Sequence, residues 1–297
     1  MKNKFVHNAL VFFAIFTMTI TGAMANTLDK AKTTGKFTLA YRESSIPFSY
    51  LGEDGKPLGF GWEMCKLIAE EVKKQTGRKD LVVESQAVTS QNRIPLIQNG
   101  TVDVECGSTT NNSERGKQVT FAINYFYTGT RFLVKADSGI KSINDLKGKK
   151  VVSTTGTTNY QILRNLNDEK KYGFELLGAK DHADALLMVE SGMANAFGMD
   201  DILLYGLKAS SKESAKLAVV GESIQVEPYA IMFRKDDPKF QALVNKVITN
   251  SIKTGEFEKA YKKWFQTNIP PKNVNLNAPM SKELKDNLKA LSDKPAL

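Results

Sequence analysis

Apolar and polar positions along this chain follow two rhythms that take turns. Residues 37–41 (FTLAY) read as a strand, followed by the extended stretch 46–50 (IPFSY) and a turn over 52–57. Residues 61–75 then carry Cys65, Ile68, Ala69 and Val72 at helical spacing. A strand at 81–85, a short helix at 92–98 and a strand at 102–106 complete a first group. The second group opens at 143–146 and repeats the order: strand 149–153, helix 159–166, strand 174–177, helix 183–189, strand 194–199. Strands alternating with helices imply an α/β protein with mixed, mainly parallel sheets flanked by helices.

The two groups share a spacing. Ninety-two positions separate Ser90 from His182, each at the start of a helix, and the same interval separates Ser108 from Asp200, each at the end of a strand. Two units of like design predict two lobes. In open α/β sheets, ligands sit beyond the carboxyl ends of the strands, which is where these four residues fall. Two long extended runs, 120–134 and 226–233, stand where the chain would leave the first lobe and return to it. The expected division is therefore lobe one over 26–128 and 229–297, with lobe two over 129–228. Two crossings make a hinge, and a hinge beside a polar cleft predicts closure around a small ligand.

Charge changes this picture less than the count implies. The 297 residues carry 41 Lys and Arg against 32 Asp and Glu. Residues 1–25 have the three parts of a secretory signal: Lys2 and Lys4, the apolar run 9–20, and small residues ending at Ala25, where cleavage is expected. Without them 272 residues and a basic excess of seven remain, scattered as lysines among acids. No arginine-rich arm or nucleic-acid motif appears, so no nucleic-acid partner is expected. One histidine, His182, is left, which excludes a multi-histidine metal site. Cys65 and Cys106 would meet an oxidising compartment and could pair, but Cys65 on the apolar stripe fits a buried free thiol equally well.

Several longer motifs now stand together: RESSIPFSY (42–50), TSQNRIPL (89–96), ECGSTTNN (105–112), GTT (156–158), AKDH (179–182), MDD (199–201) and IPPKN (269–273). In this order they resemble the periplasmic solute-binding proteins of ABC-type amino-acid importers, specifically the glutamate/aspartate-binding group. The resemblance covers nearly all of the chain beyond residue 25. It implies a two-lobed periplasmic-binding-protein fold of type II, no enzymatic activity and no cofactor. It also implies a periplasmic monomer that takes an acidic L-amino acid to an inner-membrane ABC permease.

The resemblance also implies a ligand set. Arg93 would clamp the α-carboxylate by two parallel charge-assisted hydrogen bonds, and Arg42 would meet the side-chain carboxylate. An ion pair of Arg42 with Glu43 is disfavoured, because neighbours along a strand point to opposite faces. Ser90 and His182 would serve the distal carboxylate. Ser108, Thr110 and Thr158, or Thr157 in place of the last, would donate around the α-carboxylate. Asp200 would accept the α-ammonium, with Asp201 as the N-cap of the helix that follows. Two rival readings are a periplasmic dehydratase on the same fold, with Asp200 and His182 as acid and base, and an adhesin-like surface role.

Overall fold

The computed structural model describes residues 26–296; the expected export signal lies outside them. Two mixed sheets organise the chain. The first runs Val82–Ala87, Lys36–Tyr41, Val104–Glu105, Met232–Arg234, Val119–Phe121. Its first three strands are parallel, and Met232–Arg234 is antiparallel to both neighbours. The second runs Glu175–Ala179, Lys150–Thr154, Ala196–Asp200, Phe126–Lys135, Leu217–Val220. There too three parallel strands are completed by antiparallel ones. Short parallel strands buried on both faces need crossover helices, and the helical periodicities in the sequence supply them.

Between the sheets, the first half of Phe126–Lys135 pairs antiparallel with Val226–Tyr229, Gly129 opposite Val226 and Phe126 opposite Tyr229. The extended run 120–134 therefore divides, its first part joining the first sheet and its second the connecting ribbon and second sheet. The run 226–233 divides likewise at Ala230 and Ile231. In each case the chain bends where it passes from one sheet to the other, and the backbone groups at the bend stay bonded, Tyr125 N–H to Tyr229 C=O and Ala122 N–H to Ile231 C=O. At Gly129 a Cβ would lie 2.4 Å from the Gln225 backbone oxygen, so the ribbon admits no side chain there. Phe48 anchors the ribbon through ring contacts with Phe126 at 4.9 Å, Tyr229 at 5.2 Å and Phe265 at 5.5 Å.

The helix Phe60–Thr76 buries the stripe read from the sequence, including Met64, Cys65, Ile68 and Val72. Cys65 is not a free thiol: it is bonded to Cys106, with the Cα atoms 5.7 Å apart. That bond ties the helix to the loop that follows the strand Val104–Glu105, and this loop carries Ser108 and Thr110.

Candidate functional site

The carboxyl ends of the parallel strands in both sheets deliver the polar residues to one place. Arg42 follows Lys36–Tyr41, Ser90 and Arg93 follow Val82–Ala87, and Ser108 and Thr110 follow Val104–Glu105. From the second sheet, Thr157 and Thr158 follow Lys150–Thr154, Asp181 and His182 follow Glu175–Ala179, and Asp200 ends its own strand. Seven of the eight residues expected from the sequence line a single narrow cavity: Ser90, Arg93, Ser108, Thr110, Thr158, His182 and Asp200. Thr157, Asn159, Met199 and Leu203 complete the lining. Arg42 is not part of that lining and reaches the site from behind His182.

One end of the site is cationic. Arg93 opens the helix Arg93–Gln98 and is 2% exposed, and its Nε and Nη1 have no partner among the described residues. Burial, reinforced by Arg115, lowers its pKa to about 9, which still leaves the guanidinium charged near neutrality. The Ser90 hydroxyl is also buried without a partner. Arg42, fully buried, donates from Nη2 to Asp181 Oδ1 at 2.9 Å, and the same nitrogen lies 3.4 Å from His182 Nε2. Its Nε and Nη1 are unpartnered. His182 Nδ1 lies 2.8 Å from Thr154 Oγ1. Burial, with Arg42 second, drives the imidazole pKa down to about 3, so the ring is neutral. Because arginine can only donate, the Arg42 contact calls for a lone pair on Nε2.

The other end is anionic. Asp200 accepts from Asn159 Nδ2 at 2.8 Å and from the Tyr229 hydroxyl. Burial, reinforced by Glu227, pushes its carboxyl well above the usual carboxylate range. Glu227, fully buried on the strand Val226–Tyr229, accepts from Thr158 Oγ1 at 2.6 Å, from the Thr110 hydroxyl and from Gln225 Nε2 at 2.9 Å. The Thr157 hydroxyl is occupied otherwise: it caps the helix Thr158–Lys170 and donates to Thr154 C=O at 2.6 Å.

Residues 37–267 match the bacterial extracellular solute-binding proteins, family 3. The chain belongs to that family. The L-glutamate/L-aspartate-binding protein of Pseudomonas aeruginosa is 48% identical over 97% of this chain and 96% of its own length. The glutamate/aspartate import solute-binding protein of Escherichia coli is 46% identical over 92% of this chain and 90% of its own. Among solved structures, a mutant of ArgBP from T. maritima superposes with a TM-score of 0.72 at 25% identity, covering 81% of this chain and 99% of that one.

Within this solute-binding protein, the sequence reading missed several side chains. Asp181 stands at the N-cap of the helix His182–Glu190, yet its side chain makes no cap hydrogen bond. It reaches instead to Arg42 and to Ser44 Oγ, which donates at 2.8 Å. Arg115 donates to Thr110 C=O at 3.0 Å and, across the cleft, to Gly156 C=O at 3.1 Å. Asn159 and Glu227 were missed as well; the only signal for Glu227 was a charged residue inside an otherwise apolar extended run. Asp201 is a correction. It is the first residue of the helix Asp201–Ser210 rather than its N-cap, and it accepts from Thr128 Oγ1 at 2.6 Å. The strand ends one residue later than expected, at Asp200, and the helix starts at once.

Proposed function

We propose that this solute-binding protein captures L-glutamate or L-aspartate in the cavity between its lobes and presents it to an inner-membrane ABC permease. The observation that carries the reading is Arg93. A buried guanidinium with two unpartnered nitrogens beside an unpartnered Ser90 hydroxyl is costly unless an anion joins it. The opposite end offers Asp200, backed by Glu227, to an ammonium group, so the cavity has the polarity of an amino acid. Arg42, beside His182, favours a second carboxylate. The names of the two relatives point to the same ligands.

In this reading Arg42, Ser90 and Arg93 form the anion-binding end, with His182 orienting Arg42 through its Nε2 lone pair, Asp200 takes the α-ammonium, and Ser108, Thr110 and Thr158 bind between them. Lobe one comprises 26–128 and 229–297 and lobe two 129–228, with the paired strands of the ribbon as the hinge. On the same reading the protein works as a monomer in the periplasm. Neither a dehydratase nor an adhesin is named among these relatives, and no specific contact favours either.

A thermal-shift screen of the common L-amino acids tests the reading, because a ligand that binds only the folded form raises its apparent stability. L-glutamate or L-aspartate should give the largest shift, with lysine and arginine giving none. A shift by basic amino acids alone would sink the proposal. So would turnover of a prephenate-like acid.

A further inference from the structure

Glu227 does not line the cavity, yet it controls two groups that do. Its Oε2 accepts from Thr158 Oγ1 at 2.6 Å and from the Thr110 hydroxyl, while Oε1 accepts from Gln225. A hydroxyl has one proton and two lone pairs. With both protons on Glu227, Thr110 and Thr158 can present only lone pairs to the cavity. Their oxygens then stand 3.2 Å apart with no proton between them. Two such oxygens side by side are matched by a group with several N–H donors and no acceptor, which is an ammonium. The Asp200 carboxylate lies in the same lining, held by Asn159 and Tyr229.

We propose that Glu227 is a positioning residue that, by taking the hydroxyl protons of Thr110 and Thr158, makes both threonines acceptors for the ligand's α-ammonium. This rests on the amino-acid reading and revises it in one respect: the two threonines are acceptors for the cationic group, not donors to the α-carboxylate. Charge supports the assignment. Burial beside Glu227 disfavours charge on Asp200, and an ammonium arriving between them would relieve that penalty, with Arg115 already bonded to the Thr110 carbonyl. The position of Glu227 adds a consequence. Thr110 comes from the first lobe, Thr158 from the second and Glu227 from the ribbon between them. The acceptor pair is therefore assembled only when the lobes close.

The test follows bound L-glutamate, labelled uniformly with ¹³C and ¹⁵N, by NMR in the wild type, Glu227→Gln and Thr158→Val, with affinities measured in parallel. Glutamine in place of Glu227 keeps the shape, but its neutral amide oxygen holds the two hydroxyl protons without the help of a charge. Glu227→Gln should weaken L-glutamate by about 10- to 100-fold and move the amino ¹⁵N resonance while the distal carboxyl ¹³C stays in place. Thr158→Val, which retains the carboxylate should Glu227→Gln misfold, should also move the ¹⁵N signal. A shift confined to the α-carboxyl ¹³C in either variant would make the threonines donors and overturn the proposal. An unchanged affinity in Glu227→Gln would overturn it too. A wild type that binds no L-glutamate at all would strike the acidic-ligand reading instead, which keeps the two failures apart.

Discussion

Arg42 and Asp181 meet across the cleft, Nη2 to Oδ1 at 2.9 Å, with the arginine side chain 0% and the aspartate 17% exposed. The contact joins residues 139 positions apart, one from each lobe. Burial works against charge on Asp181, but the His182 ring, the Arg42 guanidinium and the Ser44 hydroxyl outweigh it and hold the carboxyl at about 2. Asp181 is therefore ionised near neutrality, and the contact acts in two opposed ways. It helps close the lobes around any ligand, and it neutralises part of the charge that an incoming side-chain carboxylate would meet. Asp181→Asn separates these effects. L-glutamine should bind about tenfold more weakly because the latch is weakened, a cost of the order of 1–2 kcal/mol for a partly exposed pair. The preference for L-glutamate over L-glutamine should rise, because Arg42 is no longer matched. Competition calorimetry reads both, and a preference that stays fixed or falls would contradict this account.

Arg93 pits binding against stability. With the lobes closed, its Nε and Nη1 find no partner among the described residues, and Glu105 only partly offsets the burial. Replacing a buried charge with a well-packed apolar side chain of similar length is often stabilising by about 1–4 kcal/mol. Arg93→Met should therefore raise the ligand-free melting temperature by a few degrees. If Arg93 clamps the α-carboxylate as proposed, the same change removes two charge-assisted hydrogen bonds, about 3–6 kcal/mol together, so affinity should drop more than 100-fold. Differential scanning calorimetry with and without L-glutamate checks both halves. A variant that is destabilised and still binds would place Arg93 in the fold rather than in the site.

His182 sets a pH dependence of known sign. Its folded pKa, about 3, lies below the ordinary histidine value. Between the unfolded value near 6.5 and 3, the unfolded chain binds a proton that the folded chain does not, so stability falls as pH falls through that window. From pH 7 to pH 5 the loss is about 2 kcal/mol. Asp200, whose folded pKa is raised, contributes with the opposite sign, so the wild-type slope is a sum. Subtracting His182→Gln isolates the histidine. Urea midpoints at the two pH values should converge for the variant relative to the wild type; parallel lines would show that His182 is not buried neutral.

Most of the cavity was legible because its residues sit at strand ends, and strand ends are what alternation and helix starts reveal. The 92-residue interval paired Ser90 with His182 and Ser108 with Asp200, and all four line the cavity. What stayed hidden is partnership across the cleft. Local pattern offers Arg42 only Glu43, which points to solvent, whereas its actual partner is brought near by closure. Asp181 looks like an ordinary N-cap, since nothing local signals that its carboxylate leaves its own helix. Glu227 sits in a run whose alternation is set by the ribbon, so no period marks it as buried between lobes.

Gly206 shows how closely the lobes approach, and how that approach can be blocked without harm to either one. It lies in the helix Asp201–Ser210 of the second lobe, where a Cβ would stand 2.5 Å from the backbone oxygen of Ile46 in the first. Ile46 is backbone in a packed turn and has little freedom to give way. In a helix interior alanine is favoured over glycine by about 1 kcal/mol, so Gly206→Ala should leave the lobes folded and at least as stable as before. Closure, however, would now require the seam to part. L-glutamate affinity should fall at least tenfold, and small-angle scattering at saturating ligand should give a larger radius of gyration than the wild type. An alanine variant that closes fully and binds normally would mean that the lobes meet less tightly at this seam than the 2.5 Å approach requires.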